Sequence, residues 1–271
     1  MVKINNLAFS YAQTPVLNNI TMSLDPGRIY GLLGENGVGK TTLLTLLAGL
    51  KKPQQGSIDI DGENPYDRNP DFLATLYYLP DEVAPQNETA RQFAIRTGIF
   101  WPRFSRDTFF GAMKEFDTNP DQKMNKMSAG QLKKTYISFA LACGAALILM
   151  DEPTNGLDIP SKAQFRSAIM KYTREDATIV ISTHQVRDLE NIIDPIIILD
   201  RQRVLMNATL EEIARKLYFD YGSQLHENNY YLEQIPTGYI QVCPNTTGED
   251  SKVNLEALFN AVHKHKDLFY E

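Results

Sequence analysis

The chain has 271 residues, 43% of them hydrophobic and 22% charged, which suits one large α/β domain with room for a small appendage and gives no indication of disorder. The net charge of −6 argues against a nucleic-acid partner, because phosphate backbones recruit surfaces rich in Lys and Arg. Cys143 and Cys243 lie far apart and read as reduced thiols of a cytosolic protein.

Met1 to Asn6 run directly into an alternating pattern, so no signal peptide is expected. Val2, Ile4, Leu7 and Phe9 predict a first strand, and Val16, Leu17, Ile20, Met22 and Leu24 a second. Asp25-Pro26-Gly27 is a turn, followed by a buried strand over residues 28–33. A glycine-rich loop comes next, then an apolar helix from Thr41 to Leu50 that ends before Pro53. Residues 57–62 read as a short strand and turn, and residues from about 86 to 143 mainly as helix, with Trp101, Phe104, Phe109, Phe110 and Phe116 as core candidates. Strands are expected at 146–150, 178–182 and 196–199, with a helix over 160–174 between the first two; strands alternating with helices imply a parallel sheet covered on both faces.

The texture changes after about residue 207. Thr209-Leu210-Glu211-Glu212 opens a helix, short aromatic strands follow at 230–232 and 239–242, and a final helix spans Leu255 to His265. These read as a small α+β appendage. The most apolar stretch, 137–150, contains Ser138 and Gly144 and is too short to cross a bilayer, so any membrane role must be peripheral. The N-x-[ST] matches at Asn87, Asn207 and Asn245 are read as coincidence, because nothing points to secretion.

Gly34-Glu35-Asn36-Gly37-Val38-Gly39-Lys40-Thr41 matches G-x-x-x-x-G-K-[ST] in full. Glycines let backbone N–H groups converge on phosphate oxygens, and the following helix offers its positive end. Lys40 would reach the β- and γ-phosphates of a nucleotide and Thr41 would ligate Mg²⁺, with Thr42 continuing the binding segment. A chance match would arise in roughly one chain per hundred of this length; the preceding strand and following helix lower that further.

Leu147 to Met150 is a buried apolar run that ends in Asp151 and Glu152. Ligands of a parallel sheet bind beyond the carboxyl ends of its strands, which places Asp151 to hold Mg²⁺ and Glu152 to polarise an attacking water. Residues 179–183 form another strand ending at His184, a position that favours the γ-phosphate or that water; the plainer reading of a lone histidine is structural or exposed.

With these pieces in place the chain resembles the ATP-binding subunits of ABC transporters over about residues 1–206, and bacterial exporters with separate subunits in particular. That likeness implies a P-loop NTPase core with an antiparallel β subdomain and a helical subdomain at about 86–143, leaving 207–271 outside. Met127-Ser128-Ala129-Gly130-Gln131 resembles the family signature, with Met for Leu and Ala for the first Gly; Ser128, Gly130 and Gln131 match. Asn155-Gly156-Leu157-Asp158 resembles the loop after the catalytic Glu, Thr183-His184 the switch histidine, and Tyr11 the aromatic that stacks on adenine, with local packing as its alternative. The likeness implies a head-to-tail dimer, homodimeric or with a related ATPase subunit, in which ATP and Mg²⁺ on one phosphate loop meet Ser128 and Gly130 of the other. It also implies a separate multi-spanning membrane subunit and no nucleic acid. One departure stands out: where the family carries a metal-contacting glutamine this chain has Asp81, a candidate metal ligand. Phe100 to Ser105 also looks like the small exporters, or is aromatic packing. The competing readings are a non-transport ABC ATPase on ribosomes or DNA, disfavoured by the single domain and acidic charge, and a non-hydrolysing subunit, disfavoured by the presence of Lys40, Asp151, Glu152 and His184.

Overall fold

The structure is a computed structural model that describes residues 1–269. In chain order it runs β1 (Val2–Tyr11), β2 (Thr14–Leu24), β3 (Ile29–Leu33), α1 (Lys40–Leu47), β4 (Gln55–Ile60), α2 (Pro70–Leu73), β5 (Leu76–Leu79), α3 (Ala90–Thr97), α4 (Arg106–Glu115), α5 (Ala129–Ala142) and β6 (Leu147–Asp151). Then follow α6 (Ile159–Tyr172), β7 (Thr178–Thr183), β8 (Ile196–Asp200), β9 (Arg203–Ala208), α7 (Leu210–Lys216), β10 (Leu217–Gly222), β11 (Tyr231–Ile235), β12 (Gly238–Pro244) and α8 (Leu255–Lys264).

A six-stranded sheet of order β5-β6-β7-β3-β8-β9 forms the centre. Its inner strands are mostly Val, Ile, Leu and Met, every residue of β6, β7 and β8 is buried, and neighbours pair in parallel from β5 through to β8. Such runs have no polar face to offer water, so both faces must be covered. On one face α1 and the antiparallel sheet β2-β1-β4 build one core around Ile4, Leu17, Leu32, Leu44 and Leu149. On the other, α5 and α6 pack over Ile148, Met150, Ile179 and Ile181.

Helix starts follow local rules. Thr89 with Gln92, Ser128 with Gln131, and Thr209 with Glu212 form capping boxes at α3, α5 and α7, each side chain satisfying an amide the helix leaves orphaned. The aromatic residues expected in the helical stretch do pack: Phe109 and Phe116 are fully buried, and Phe139 of α5 lies within 5.7 Å of the rings of Tyr77, Phe93, Trp101 and Phe104. Two features depart from the simple alternation. No helix joins β7 to β8, only a 3₁₀ turn at Val186–Asp188, and β9 returns antiparallel as a hairpin edge. The C-terminal strands form their own sheet, β10-β12-β11, with β10 in addition to the two expected.

That C-terminal part does not stand apart. Leu255, Leu258, Ala261 and Val262 of α8 are buried in the same apolar cluster as Leu189, Ile196 and Ile198. Leu258→Ala should therefore cost about 2–5 kcal/mol, the usual range for a large-to-small change in a core, and should lower a single unfolding transition followed by urea and near-UV signal. A C-terminal transition that shifts while a second, nucleotide-stabilised one stays put would show separate folding units.

Candidate nucleotide site

Three adjacent strands set the site. In the order β6-β7-β3, Asp151 lies opposite Ser182 and Thr183 opposite Leu33, so the carboxyl ends of all three finish at one level. The glycine loop leaves β3, Asp151 ends β6 with Glu152 next to it, and His184 follows β7.

The loop's shape depends on missing side chains. A Cβ on Gly34 would come within 2.6 Å of the Leu199 carbonyl oxygen, and Gly39 has φ +110°, a left-handed conformation that side chains disfavour. Gly39 also caps α1, and no side chain caps that helix end. The first amides of α1 are thus left for an anion. Lys40 is 6% exposed; its Nζ donates to the carbonyl oxygens of Gly34 (2.7 Å) and Glu35 (3.1 Å) and lies 3.4 Å from Glu152 Oε1.

Asp151 is 2% exposed. Thr41 Oγ1 donates to its Oδ2 at 2.6 Å and Ser182 Oγ to its Oδ1 at 2.5 Å. Glu152 adopts φ +44°, left-handed for a non-glycine residue, a strain of about 1–3 kcal/mol of the kind concentrated at working sites. Its Oε2 is 3.0 Å from His184 Nδ1 and accepts from the His184 amide at 3.4 Å, while its Oε1 is buried without a hydrogen-bond partner.

A cavity of about 360 Å³ opens over these groups, lined by Tyr11, Val16, Asn36, Gly37, Gly39, Lys40, Thr41, Thr42, Asp81 and Glu152. Tyr11 is half-exposed at its mouth, its hydroxyl 3.4 Å from Thr42 Oγ1, its ring edge-on to Phe9 and beneath Lys51 Nζ at 4.9 Å. The donor set fits the groups expected from the sequence. The uncapped helix end, the buried ammonium and the side-chain-free loop suit a polyphosphate; the Thr41–Asp151 oxygen pair suits a hard divalent cation; Glu152 Oε1 faces Lys40 Nζ at 3.4 Å without a hydrogen bond.

Other predicted residues lie elsewhere. Ser128, Gly130 and Gln131 sit at the start of α5, where Ser128 Oγ accepts from the Gln131 amide (3.2 Å) and Gln131 Oε1 from the Ser128 amide (3.0 Å). Gly130 lines a second cavity with Ala129, Lys133, Asn155 and Gly156. Asp158 caps α6, accepting from the Ser161 amide at 2.9 Å, and the hydrogen bonds from Ser161 hold its carboxyl below the usual range. Neither the α5 start nor Asp158 lines the phosphate-loop cavity of the same chain. Asp81 borders both cavities. Its Oδ1 accepts from Lys133 Nζ (3.0 Å) and Asn155 Nδ2 (3.4 Å), and its carbonyl also accepts from Lys133, so that oxygen is committed to α5 rather than to the Thr41–Asp151 pair.

Sequence reasoning passed over Ser182 and Lys133. A serine at the end of an apolar strand, in register with Asp151, was a usable signal for the first. For Lys133, 5% exposed on a mostly apolar helix, the signal was a charge that must find a partner. The double-mutant cycle of Asp81→Asn with Lys133→Met should give a coupling of about 1–3 kcal/mol in urea unfolding, in the range for hydrogen bonds to charged groups; additivity within error would show the pair to be incidental.

The sequence profile described as ABC transporter matches residues 17–155. The chain is 30% identical over 222 residues to the SkfA peptide export ATP-binding protein SkfE of Bacillus subtilis, covering 80% of this chain and 92% of that one. It is 29% identical over 196 residues to the lantibiotic transport ATP-binding protein SrtF of Streptococcus pyogenes, covering 72% and 84%. Among solved structures, the ATP-binding subunit of an ABC transporter superposes with a TM-score of 0.71 at 25% identity, covering 79% of this chain and 92% of that one.

Proposed function

The chain belongs to the ABC transporter family, as one of its ATP-binding, ATP-hydrolysing subunits, and from that premise we propose that it is the motor of an exporter, docked on a separate multi-spanning membrane subunit at the inner, cytoplasmic face of the cell membrane. The observation that carries the reading is the meeting of Lys40, Thr41, Asp151, Glu152 and His184 at the carboxyl ends of three adjacent strands. The export direction is supported by the peptide-export and lantibiotic-transport relatives. Among the described residues no helix is long and apolar enough to cross a membrane, which leaves the spanning part to another segment or chain.

In this reading residues 1–206 are the ATP-binding domain, with the helical subdomain at about 86–143, and 207–271 an appendage to it. ATP lies along Gly34 to Thr42, Glu35, Asn36 and Val38 included, with Tyr11 against the adenine. Lys40 and the amides of the first turn of α1 bind the β- and γ-phosphates. Thr41 and Asp151 would hold Mg²⁺, whose charge would offset that of the phosphate oxygens, and Asp81 would be a further ligand. Glu152 accepts a hydrogen bond from the attacking water and orients it in line with the γ-phosphate, and His184, held on Glu152, stands beside the same atoms.

Ser128, Gly130, Gln131 and Asp158 then act in trans. They reach the ATP bound by a second ATPase subunit, identical or related, facing head to tail, which accounts for their lying outside the phosphate-loop cavity of their own chain. Nucleic acid has no part in this scheme.

Glu152→Gln should lower ATP turnover by about 100-fold or more, within the range for a lost general base, and should retain ATP in a stable dimer on gel filtration. Turnover at the wild-type rate would overturn the assignment. Lys40→Ala should abolish tight ATP binding in equilibrium dialysis; unchanged affinity would count against the phosphate loop. Purification of the tagged chain from detergent-solubilised membranes should bring down a multi-spanning protein, and repeated recovery of the chain alone would contradict the transporter reading.

A further inference from the structure

We propose that Ser182 is a positioning residue for ATP hydrolysis, aligning the metal-binding and the water-activating carboxylates through one hydroxyl. The proposal rests on the roles given above to Asp151 and Glu152.

Ser182 is fully buried near the end of β7, after Ile179, Val180 and Ile181. An aliphatic side chain would serve packing there without the cost of burying a hydroxyl. The serine offers one donor hydrogen and acceptor lone pairs, and both functions are used on the catalytic strand. Its Oγ donates to Asp151 Oδ1 at 2.5 Å and accepts from the Glu152 amide at 3.0 Å. The Glu152 amide also reaches the Ser182 carbonyl oxygen at 3.2 Å, so the two residues are tied at both backbone and side chain.

Two consequences follow from this geometry. The Asp151 oxygens are each held by a hydroxyl, Thr41 on one side and Ser182 on the other. Neutral donors fix the plane of the carboxylate without cancelling its charge, which keeps the full negative charge for a cation. The bond to the Glu152 amide supports the left-handed backbone at φ +44° that turns the chain out of β6 immediately after Asp151. A single group thus fixes both the carboxylate expected to hold Mg²⁺ and the start of the turn that presents Glu152 to Lys40 and His184.

The test compares Ser182→Ala and Ser182→Cys with the wild-type chain. Cysteine keeps nearly the volume of serine but hydrogen-bonds weakly, so it separates packing from positioning, and it carries the test alone if the alanine variant does not fold. Outer-shell partners of metal ligands are typically worth 10–100-fold in metal affinity or activity. Both variants should lose about ten-fold or more in kcat, measured at saturating ATP and Mg²⁺. Binding of a fluorescent ATP analogue should be unchanged without Mg²⁺, and the gain in affinity that Mg²⁺ confers should shrink by about ten-fold in both. Wild-type kcat and a wild-type Mg²⁺ gain in the cysteine variant would overturn the proposal, whether or not the alanine variant is impaired, since only packing would then matter. Glu152→Gln run alongside separates the two levels. If it turns over ATP normally the catalytic reading itself fails; if it is inactive while both Ser182 variants match wild type, only the role of Ser182 fails.

Discussion

A buried carboxylate governs this molecule's working end. Asp151 closes an apolar strand with almost no exposure, and taking its charge out of water is costly unless hydrogen bonds and a counter-charge replace the lost solvation. The hydrogen bonds come from Thr41, on the helix after the glycine loop, and Ser182, on the neighbouring strand. These two donors are available only because β6, β7 and β3 are adjacent and in register, so the strand order of the sheet is a condition of the site and not just its support. In the proposed reading the remaining need, a positive charge at close range, is met by the metal ion.

The molecule also divides its candidate functional residues between two places. The phosphate loop and Glu152 line one cavity, with Asp151 bonded to Thr41 and His184 held on Glu152, whereas Ser128 and Asp158 cap the starts of α5 and α6, with Gly130 in the first turn of α5. Asp81 lies between the two groups, tied by Lys133 to α5 and by Asn155 to the loop after Glu152. A displacement of α5 relative to the sheet must strain or break that tie, which gives the Asp81 position a mechanical link to α5 through a buried ammonium. The C-terminal helix adds a further constraint, since α8 shares a core with the strand that follows His184 and pairs Glu256 with Arg187.

What was legible in the sequence was what is local along the chain. The glycine loop, the acids after an apolar run and the segment Met127 to Gln131 each occupy a few consecutive residues, so pattern and chemistry coincide. Residues whose meaning depends on register stayed hidden. Ser182 is 31 residues from Asp151, and Lys133 is 52 from Asp81; only the folded sheet and the packing of α5 bring them together. The hairpin edge β9 and the strand β10 were missed for a related reason: both are short, part-polar strands at sheet margins, where burial no longer imposes a clean alternation. The C-terminal part reads as an appendage because its composition changes, and its helix contributes five residues to the common core.

If each chain carries the phosphate loop for one ATP and the α5 and α6 starts for another, turnover requires two subunits. Specific Mg²⁺-ATPase activity measured across a wide range of protein concentration tests that most directly. It should rise with concentration and level off as the dimer saturates. Specific activity that stays constant down to concentrations at which sedimentation shows only monomer would contradict it.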